Sequence, residues 1–180
     1  MTDGKKRRLV ERIADPSYVE GLTDRTVEDL RDMREECREG ENELSFERRL
    51  CQARIDILQA ELDRREGKHE GDLMSRLPEI LATEGHSGGS SLPSRAPDFS
   101  IPRNADIPRR RVEEVVGEQT LARLSSIPPE EIAGIITSLQ ELESTVSARR
   151  KKVQEVMDQI QSEIVRRYTS GEADPASLAR

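Results

Sequence analysis

Aromatic residues are scarce in this chain of 180 residues, which has no Trp, two Phe and two Tyr. Proteins that bind nucleic acids stack bases on aromatic side chains and present a basic surface, whereas this chain carries a net charge of -7. Both features count against direct binding to nucleic acid, despite short basic runs at 5–8, 109–111 and 149–152. Because only 33% of the residues are hydrophobic and 36% are charged, a core of ordinary size for this length is also excluded.

Cysteine and histidine are equally rare, at two residues each. Cys37 and Cys51 are too far apart along one predicted helix to pair, so we expect two buried thiols. His69 and His86 have no metal-ligand or catalytic pattern around them. The chain also lacks a nucleotide-binding glycine loop, a nucleophile elbow and zinc-ligand spacing. We therefore predict that the protein is not an enzyme and holds no metal.

Long apolar runs are absent as well. No stretch is long enough for a signal peptide or a membrane span, so we expect a cytoplasmic protein with no membrane partner. The N-terminal Lys-Lys-Arg-Arg run is best interpreted as a solvated basic tail.

What the chain does contain is a polar pattern that occurs twice, with a constant offset of 102 residues between the copies. At about 100° per residue, each copy occupies a helical stripe roughly 80° wide and about 22 Å long. A solvated face does not require five unlike polar residues to recur at one spacing, so the repeat indicates a ligand site. We call these residues the polar motif; its copies are Glu41, Ser45, Arg48, Gln52 and Asp56, and Glu143, Ser147, Arg150, Gln154 and Asp158.

An apolar stripe at coiled-coil spacing, here called the seam, runs beside each copy of the motif. Capping residues and the glycines at 67 and 171 delimit two helices at about 25–66 and 128–169. The predicted fold is all-α, a long antiparallel two-helix coiled-coil hairpin with a flexible linker and short accessory helices. The seam residues are Leu30, Met33, Cys37, Leu44, Cys51, Ile55, Leu58 and Leu62 in the first copy, and Ile132, Ile135, Leu139, Val146, Val153, Met157, Ile160 and Ile164 in the second.

The segments outside the two helices are predicted to be less regular. Residues 1–24 form a flexible N-terminal segment, residues 67–127 a linker, and residues 170–180 a flexible tail. Two stretches of the linker are amphipathic: one from Leu73 to Leu81, interrupted by Pro78, and one from Val112 to Leu124.

The alignment of the two helices also follows from the repeat. A twofold axis between them would make the numbers of facing residues sum to about 201. The two stripes would then form one polar groove for a ligand with twofold symmetry, and four carboxylates would repel across it until the ligand binds. The predicted facing pairs are Arg48 with Gln154, Gln52 with Arg150, Glu41 with Asp158, and Asp56 with Glu143.

One face of the first helix departs from the repeat and forms an additional apolar face. It is covered by the linker helices, by the N-terminal segment around Leu9, Val10 and Ile13, or by another protein. The sequence favours internal packing and partner binding equally. The face consists of Phe46, Leu50, Ala53 and Ile57, whose counterparts are Ala148, Lys152, Glu155 and Gln159.

At the ten motif residues the chain resembles the RsiG family of anti-sigma factors, whose signature is the same Glu-Ser-Arg-Gln-Asp spacing on each of two antiparallel helices. The resemblance implies a cytoplasmic signal-transduction switch that binds a cyclic di-GMP dimer, two ligands per chain. When liganded, it would sequester WhiG, a sigma factor of the flagellar and sporulation type. Since both motif copies lie in one polypeptide, a monomer that binds WhiG 1:1 is implied. The alternative is a coiled-coil interaction or scaffold protein without a nucleotide ligand.

The resemblance assigns all ten motif residues to cyclic di-GMP, and each residue type suits that ligand. Arg48 and Arg150 offer the planar fork that pairs with guanine O6 and N7. The motif carboxylates accept hydrogen bonds from guanine N1 and N2, while the serine and glutamine side chains suit phosphate or ribose oxygens. The basic run 149–152 offsets phosphate charge. The additional apolar face is expected to form part of the sigma-factor contact.

Overall fold

The computed structural model describes residues 8–68, 73–82 and 100–173, and within these ranges the protein is all-α. The expectations for the first seven residues, for His69 and His86, for the middle of the linker and for the last seven residues fall outside the described residues. Single 3₁₀ turns lie at Pro16–Val19, Leu22–Asp24 and Leu124–Ser126. The helices are α1 (Leu9–Ile13), α2 (Val27–Arg65), α3 (Leu73–Ala82), α4 (Asp106–Val115), α5 (Glu118–Ala122) and α6 (Pro129–Thr169).

The two long helices, α2 and α6, lie within the ranges expected from their capping residues. Before α2, the Thr26 hydroxyl accepts from the Asp29 amide at 3.0 Å and donates to the Asp29 carboxylate at 2.7 Å, which satisfies an amide of the first turn. After the two helices, Gly67 and Gly171 adopt positive φ values of 71° and 76°, a conformation that glycine adopts without strain. None of the helices described by the structure has the length and apolar character needed to cross a bilayer.

The chain divides into two compact units, each built from part of both long helices. Unit 1 comprises Met1–Leu44 and Ala148–Arg180, and unit 2 comprises Ser45–Ser147. In unit 1, Arg34 bonds Gln161 whereas Glu41 bonds Arg150, so residues later in α2 meet residues earlier in α6. In unit 2, α2 and α6 likewise pack antiparallel, which confirms the predicted hairpin fold.

The seam is buried along both long helices. Every seam residue is buried, except for Ile55, Leu62 and Ile135, which are half-buried. Cys37 and Cys51 are buried free thiols, as predicted. Because burial disfavours the charged thiolate, it raises the pKa of Cys37 to about 11 and that of Cys51 to about 12.

Part of the additional apolar face of α2 packs inside unit 2. Leu50 and Ile57 pack against a core cluster to which the linker contributes Val112, Val116 and Leu124. Internal packing, one of the two alternatives left open by the sequence, is therefore observed for these two residues, and both remain half-buried. The sigma-factor contact expected for this face stays a prediction.

Residues 8–24, predicted as part of a flexible segment, have defined structure in unit 1. Ile13 is completely buried, and the Tyr18 hydroxyl donates to Glu36 at 2.7 Å and to the Met33 carbonyl at 3.3 Å. The apolar residues of α1 are too few to show helical periodicity in the sequence. Their burial depends on α2.

The second amphipathic stretch of the linker includes the end of α4 and all of α5. The two helices are separate because Val116 is extended, with φ -144° and ψ 107°. α4 begins earlier, at Asp106, since Pro108 is tolerated in a first turn, where amides lack intrahelical partners. In α3, Pro78 lies inside the helix and does not interrupt it.

The C-terminal ends of α2 and α6 carry the same cluster of one glutamate and two arginines, here called the clamp. Its glutamate accepts hydrogen bonds from both arginines, and its last arginine also donates to the backbone carbonyls of the turn that precedes the other long helix. Arg65 reaches the Leu124 and Ile127 carbonyls at 2.6 and 2.5 Å in unit 2. Arg167 reaches those of Leu22 and Thr23 at 2.9 and 2.8 Å in unit 1. The clamps are Glu61, Arg64 and Arg65, and Glu163, Arg166 and Arg167.

Candidate ligand-binding site

Each unit contains part of the polar motif. Nine of its ten side chains are half-buried, and Asp158 is exposed. Half-buried polar side chains are held by packing while their ends stay accessible to a ligand. Unit 1 contains Glu41, Arg150, Gln154 and Asp158; unit 2 contains Ser45, Arg48, Gln52, Asp56, Glu143 and Ser147.

In unit 1 the motif glutamate of α2 binds two motif side chains of α6. Glu41 Oε1 accepts from Arg150 Nε at 2.9 Å and from Gln154 Nε2 at 3.1 Å. The Arg150 and Glu41 side chains are 32% and 20% exposed. Charge-assisted hydrogen bonds of this length are among the stronger ones in proteins, so Glu41 fixes the orientation of Arg150.

In unit 2 the corresponding pair is looser. Arg48 Nη1 lies 3.9 Å from Glu143 Oε1, which is too far for a hydrogen bond, and the Ser147 hydroxyl donates to that same oxygen at 2.9 Å. Arg48 Nε is buried and has no hydrogen-bond partner among the described residues. A buried donor without an acceptor costs about 1–3 kcal/mol, so Arg48 keeps the capacity to bond an acceptor that reaches it.

The observed register of α2 and α6 differs from the predicted one. Glu41 with Arg150 and Arg48 with Glu143 are the same pair in the two copies, and the residue numbers of each pair sum to 191 rather than to about 201. The repeat is therefore respected, but these pairs fall ten short of the predicted sum, and the Arg34–Gln161 and Glu41–Gln154 pairs, which sum to 195, fall six short. A seam with a seven-residue period faces a seam again after a displacement of seven residues, which lies within this range, so apolar spacing alone did not fix the register.

This register places opposite charges together within each unit. The motif glutamates lie next to motif arginines of the other helix, so repulsion among the carboxylates does not describe this arrangement. Asp56 is a motif carboxylate that partial burial affects. Burial disfavours its charged form and raises its pKa above the ordinary value of 3.8. Hydrogen-bond donors from a ligand would relieve that cost.

One buried ion pair beside the motif was missed by sequence reasoning. Glu47, which is completely buried in unit 2, accepts from Arg111 Nη1 of α4 at 3.0 Å. A signal was present, since Glu47 is a charged residue between Phe46 and Leu50 of the additional apolar face. A charge buried in such a face requires a partner, and the Pro-Arg-Arg-Arg run of the linker supplies it.

A family model described as RsiG-like matches residues 16–81 and 118–180. The chain belongs to the RsiG-like family. The match contains all ten motif residues, both long helices and both clamps, and it leaves α1 and α4 outside. Membership indicates an anti-sigma factor role, and this family is not one of enzymes. No curated protein matches the chain.

Proposed function

We propose that this member of the RsiG-like family binds cyclic di-GMP through the polar motif and, when liganded, sequesters the sigma factor WhiG in the cytoplasm, blocking its transcription programme. The observation that carries the proposal is the recurrence of five unlike polar residues at one offset on α2 and α6. Guanine nucleotides offer both the acceptors and the donors that such a motif can bind.

The donors and acceptors of unit 2 fit a guanine nucleotide. Arg48 has a buried Nε without an acceptor, and guanine O6 and N7 are acceptors that pair with an arginine fork. Asp56 is a half-buried carboxylate whose raised pKa reflects lost hydration, and the N1 and N2 donors of guanine would replace that hydration. Adenine presents a different donor and acceptor pattern, so the same residues would discriminate against it.

In unit 1, the donors of Arg150 and Gln154 are already engaged by Glu41. A guanine bound there would share or replace this carboxylate as their acceptor, and Glu41 would then accept from the guanine amino group. The exposed side chains of Arg149, Lys151 and Lys152 lie on the same helix and would offset the charge of the phosphates.

A switch requires that the ligand prefer one state of the protein, because a ligand shifts an equilibrium only by its difference in affinity. The motif supplies that preference, since each unit holds motif residues from both α2 and α6. A nucleotide bonded to both helices would stabilise the arrangement that the sigma factor recognises.

Calorimetric titration with cyclic di-GMP tests the proposal. We expect about two ligands per chain, and affinity at least roughly tenfold weaker in Arg48→Ala and in Arg150→Ala, as expected for the loss of a bidentate guanine contact. Arg110→Ala, which removes an exposed arginine outside the motif, is the control and should bind as the wild type does. Cyclic di-AMP should not bind.

The second arm of the experiment adds WhiG. Capture of WhiG that requires cyclic di-GMP and fails in Arg48→Ala would support the complete switch. If the protein binds no cyclic di-GMP with WhiG absent or present, the coiled-coil scaffold is the better interpretation.

A further inference from the structure

Gly40 occupies an unusual position in the interior of α2. Its backbone does not need glycine, because positive φ among the described residues is confined to Gly21, Gly67 and Gly171. Glycine inside a helix is unfavourable relative to alanine, so its use here has another cause. A Cβ at Gly40 would lie 3.0 Å from Ile13 Cδ1 and 4.0 Å from Val153 Cγ1. A side chain at residue 40 would therefore require the Ile13 methyl group, or α1 with it, to move by a few tenths of an ångström.

The space above Gly40 is filled by α1. Ile13 is completely buried there, and the segment is held to α2 by an Arg12–Glu36 ion pair at 2.7 Å and by the Tyr18 hydroxyl, also on Glu36. In the second copy of the repeat the counterpart of Gly40 is Leu142, whose own side chain packs against the core of unit 2.

The junction of Ile13, Gly40 and Val153 adjoins the unit 1 part of the motif. Glu41 follows Gly40 directly, and Gln154 follows Val153 directly. These two neighbours are joined by the 3.1 Å hydrogen bond from Gln154 to Glu41. The contact of α1 thus lies one residue away from the polar contacts of the motif on both long helices.

We propose that the packing of Ile13 on Gly40 is a positioning contact for nucleotide binding. By filling the space at Gly40, α1 sets the separation of α2 and α6 in unit 1, and with it the placement of Glu41 against Arg150 and Gln154. The inference rests on the proposed function and assigns a role to α1, a helix outside the family match. It predicts that a change of size at this junction alters ligand affinity although no motif residue changes.

The test is a pair of complementary substitutions. Gly40→Ala crowds Ile13 Cδ1 and should weaken cyclic di-GMP binding roughly fivefold or more, because a displaced turn of α2 carries Glu41 with it. Ile13→Val removes the crowded methyl group, so the double variant Gly40→Ala/Ile13→Val should recover most of the affinity. Gly134→Ala is the matched control, since a Cβ there meets nothing within 4 Å. It should raise the melting temperature and leave affinity unchanged.

The outcomes separate the two proposals. Binding that is weakened by Gly40→Ala and recovered in the double variant supports the positioning contact. If Gly40→Ala binds cyclic di-GMP with the affinity of the wild type, this inference alone is overturned. The same holds if Gly40→Ala weakens binding and Ile13→Val does not restore it. Absence of binding by the wild-type chain, with WhiG absent and present, overturns the proposed function and this inference with it.

Discussion

Units 1 and 2 are built from the same repeat, agree at the clamps and differ at the motif. Glu61 and Glu163 each accept from two arginines at 2.7 to 2.9 Å. The motif arginines, by contrast, are held differently: Arg150 bonds Glu41 at 2.9 Å, whereas Arg48 lies 3.9 Å from Glu143. The same glutamate and arginine at the same spacing therefore form different contacts in the two copies of the motif. The difference in hydrogen bonding accompanies a difference in the neighbouring segments.

Those neighbours are different in the two units. In unit 1, α1 packs on Gly40, and in unit 2, α4 is bound by Glu47 through Arg111. The repeat counterpart of Glu47 is the exposed Arg149. Both accessory helices lie outside the family match, whereas the motif pairs that differ lie inside it.

The largest expected effect concerns α4. Arg111→Ala leaves the carboxylate of Glu47 buried without its partner, and we expect the free energy of unfolding to fall by about 3 kcal/mol. Arg110→Ala, its exposed neighbour on α4, should change stability by less than about 0.5 kcal/mol. Urea denaturation measures both. Equal losses would mean that Glu47 and Arg111 contribute no more than a surface pair.

A smaller effect sharpens the comparison at the motif itself. A double-mutant cycle on Glu41 and Arg150 should give a coupling energy of about 1 kcal/mol, because the pair is hydrogen-bonded and partly buried. The same cycle on Glu143 and Arg48 should give less than about 0.5 kcal/mol. Replacing each glutamate with Gln and each arginine with Met keeps the shapes similar. Equal coupling energies would show that the two pairs are equivalent in solution.

The sequence predicted the parts of the fold that depend on local periodicity. Two long helices, their caps and their seam follow from apolar spacing and from glycine at the helix ends. The register did not follow, because a heptad seam tolerates displacement by one heptad. The observed register brings Val153 close to Gly40, on which α1 also packs, and the five residues of α1 carry no periodic signal.

For the candidate site, the sequence predicted which residues form it but not how they pair. The ten motif residues came from the repeat, since a spacing of unlike polar residues is visible in the chain itself. Their pairing across the helices, and the buried partner of Glu47, depend on contacts between segments distant in sequence. For Glu47 the only signal was a charge in an apolar face, which required a partner but did not identify Arg111.

The smallest expected effect tests the part of the comparison in which the units agree. Hydrogen bonds from Arg166 and Arg167 lower the pKa of Glu163 to about 2, and those from Arg64 and Arg65 lower the pKa of Glu61 below its ordinary value of 4.5. A carboxylate whose pKa is lowered by folding stabilises the folded state above its ordinary pKa. That contribution is lost as the pH falls from about 4.5 towards 2.

The measurement is the melting temperature between about pH 6 and pH 2 for the wild type, Glu163→Gln and Glu61→Gln. Each variant should lose part of the acid-side decline, and Glu163→Gln should lose the larger part, since the pKa of Glu163 is lowered further. The effect is small because one arginine of each clamp, Arg64 or Arg166, is exposed, so that solvent screens its attraction for the carboxylate. A decline that is unchanged by Glu163→Gln but reduced by Glu61→Gln would show that the clamps are as unequal as the motif pairs. The divergence of the units would then reach the ends of the long helices, beyond the places where α1 and α4 pack.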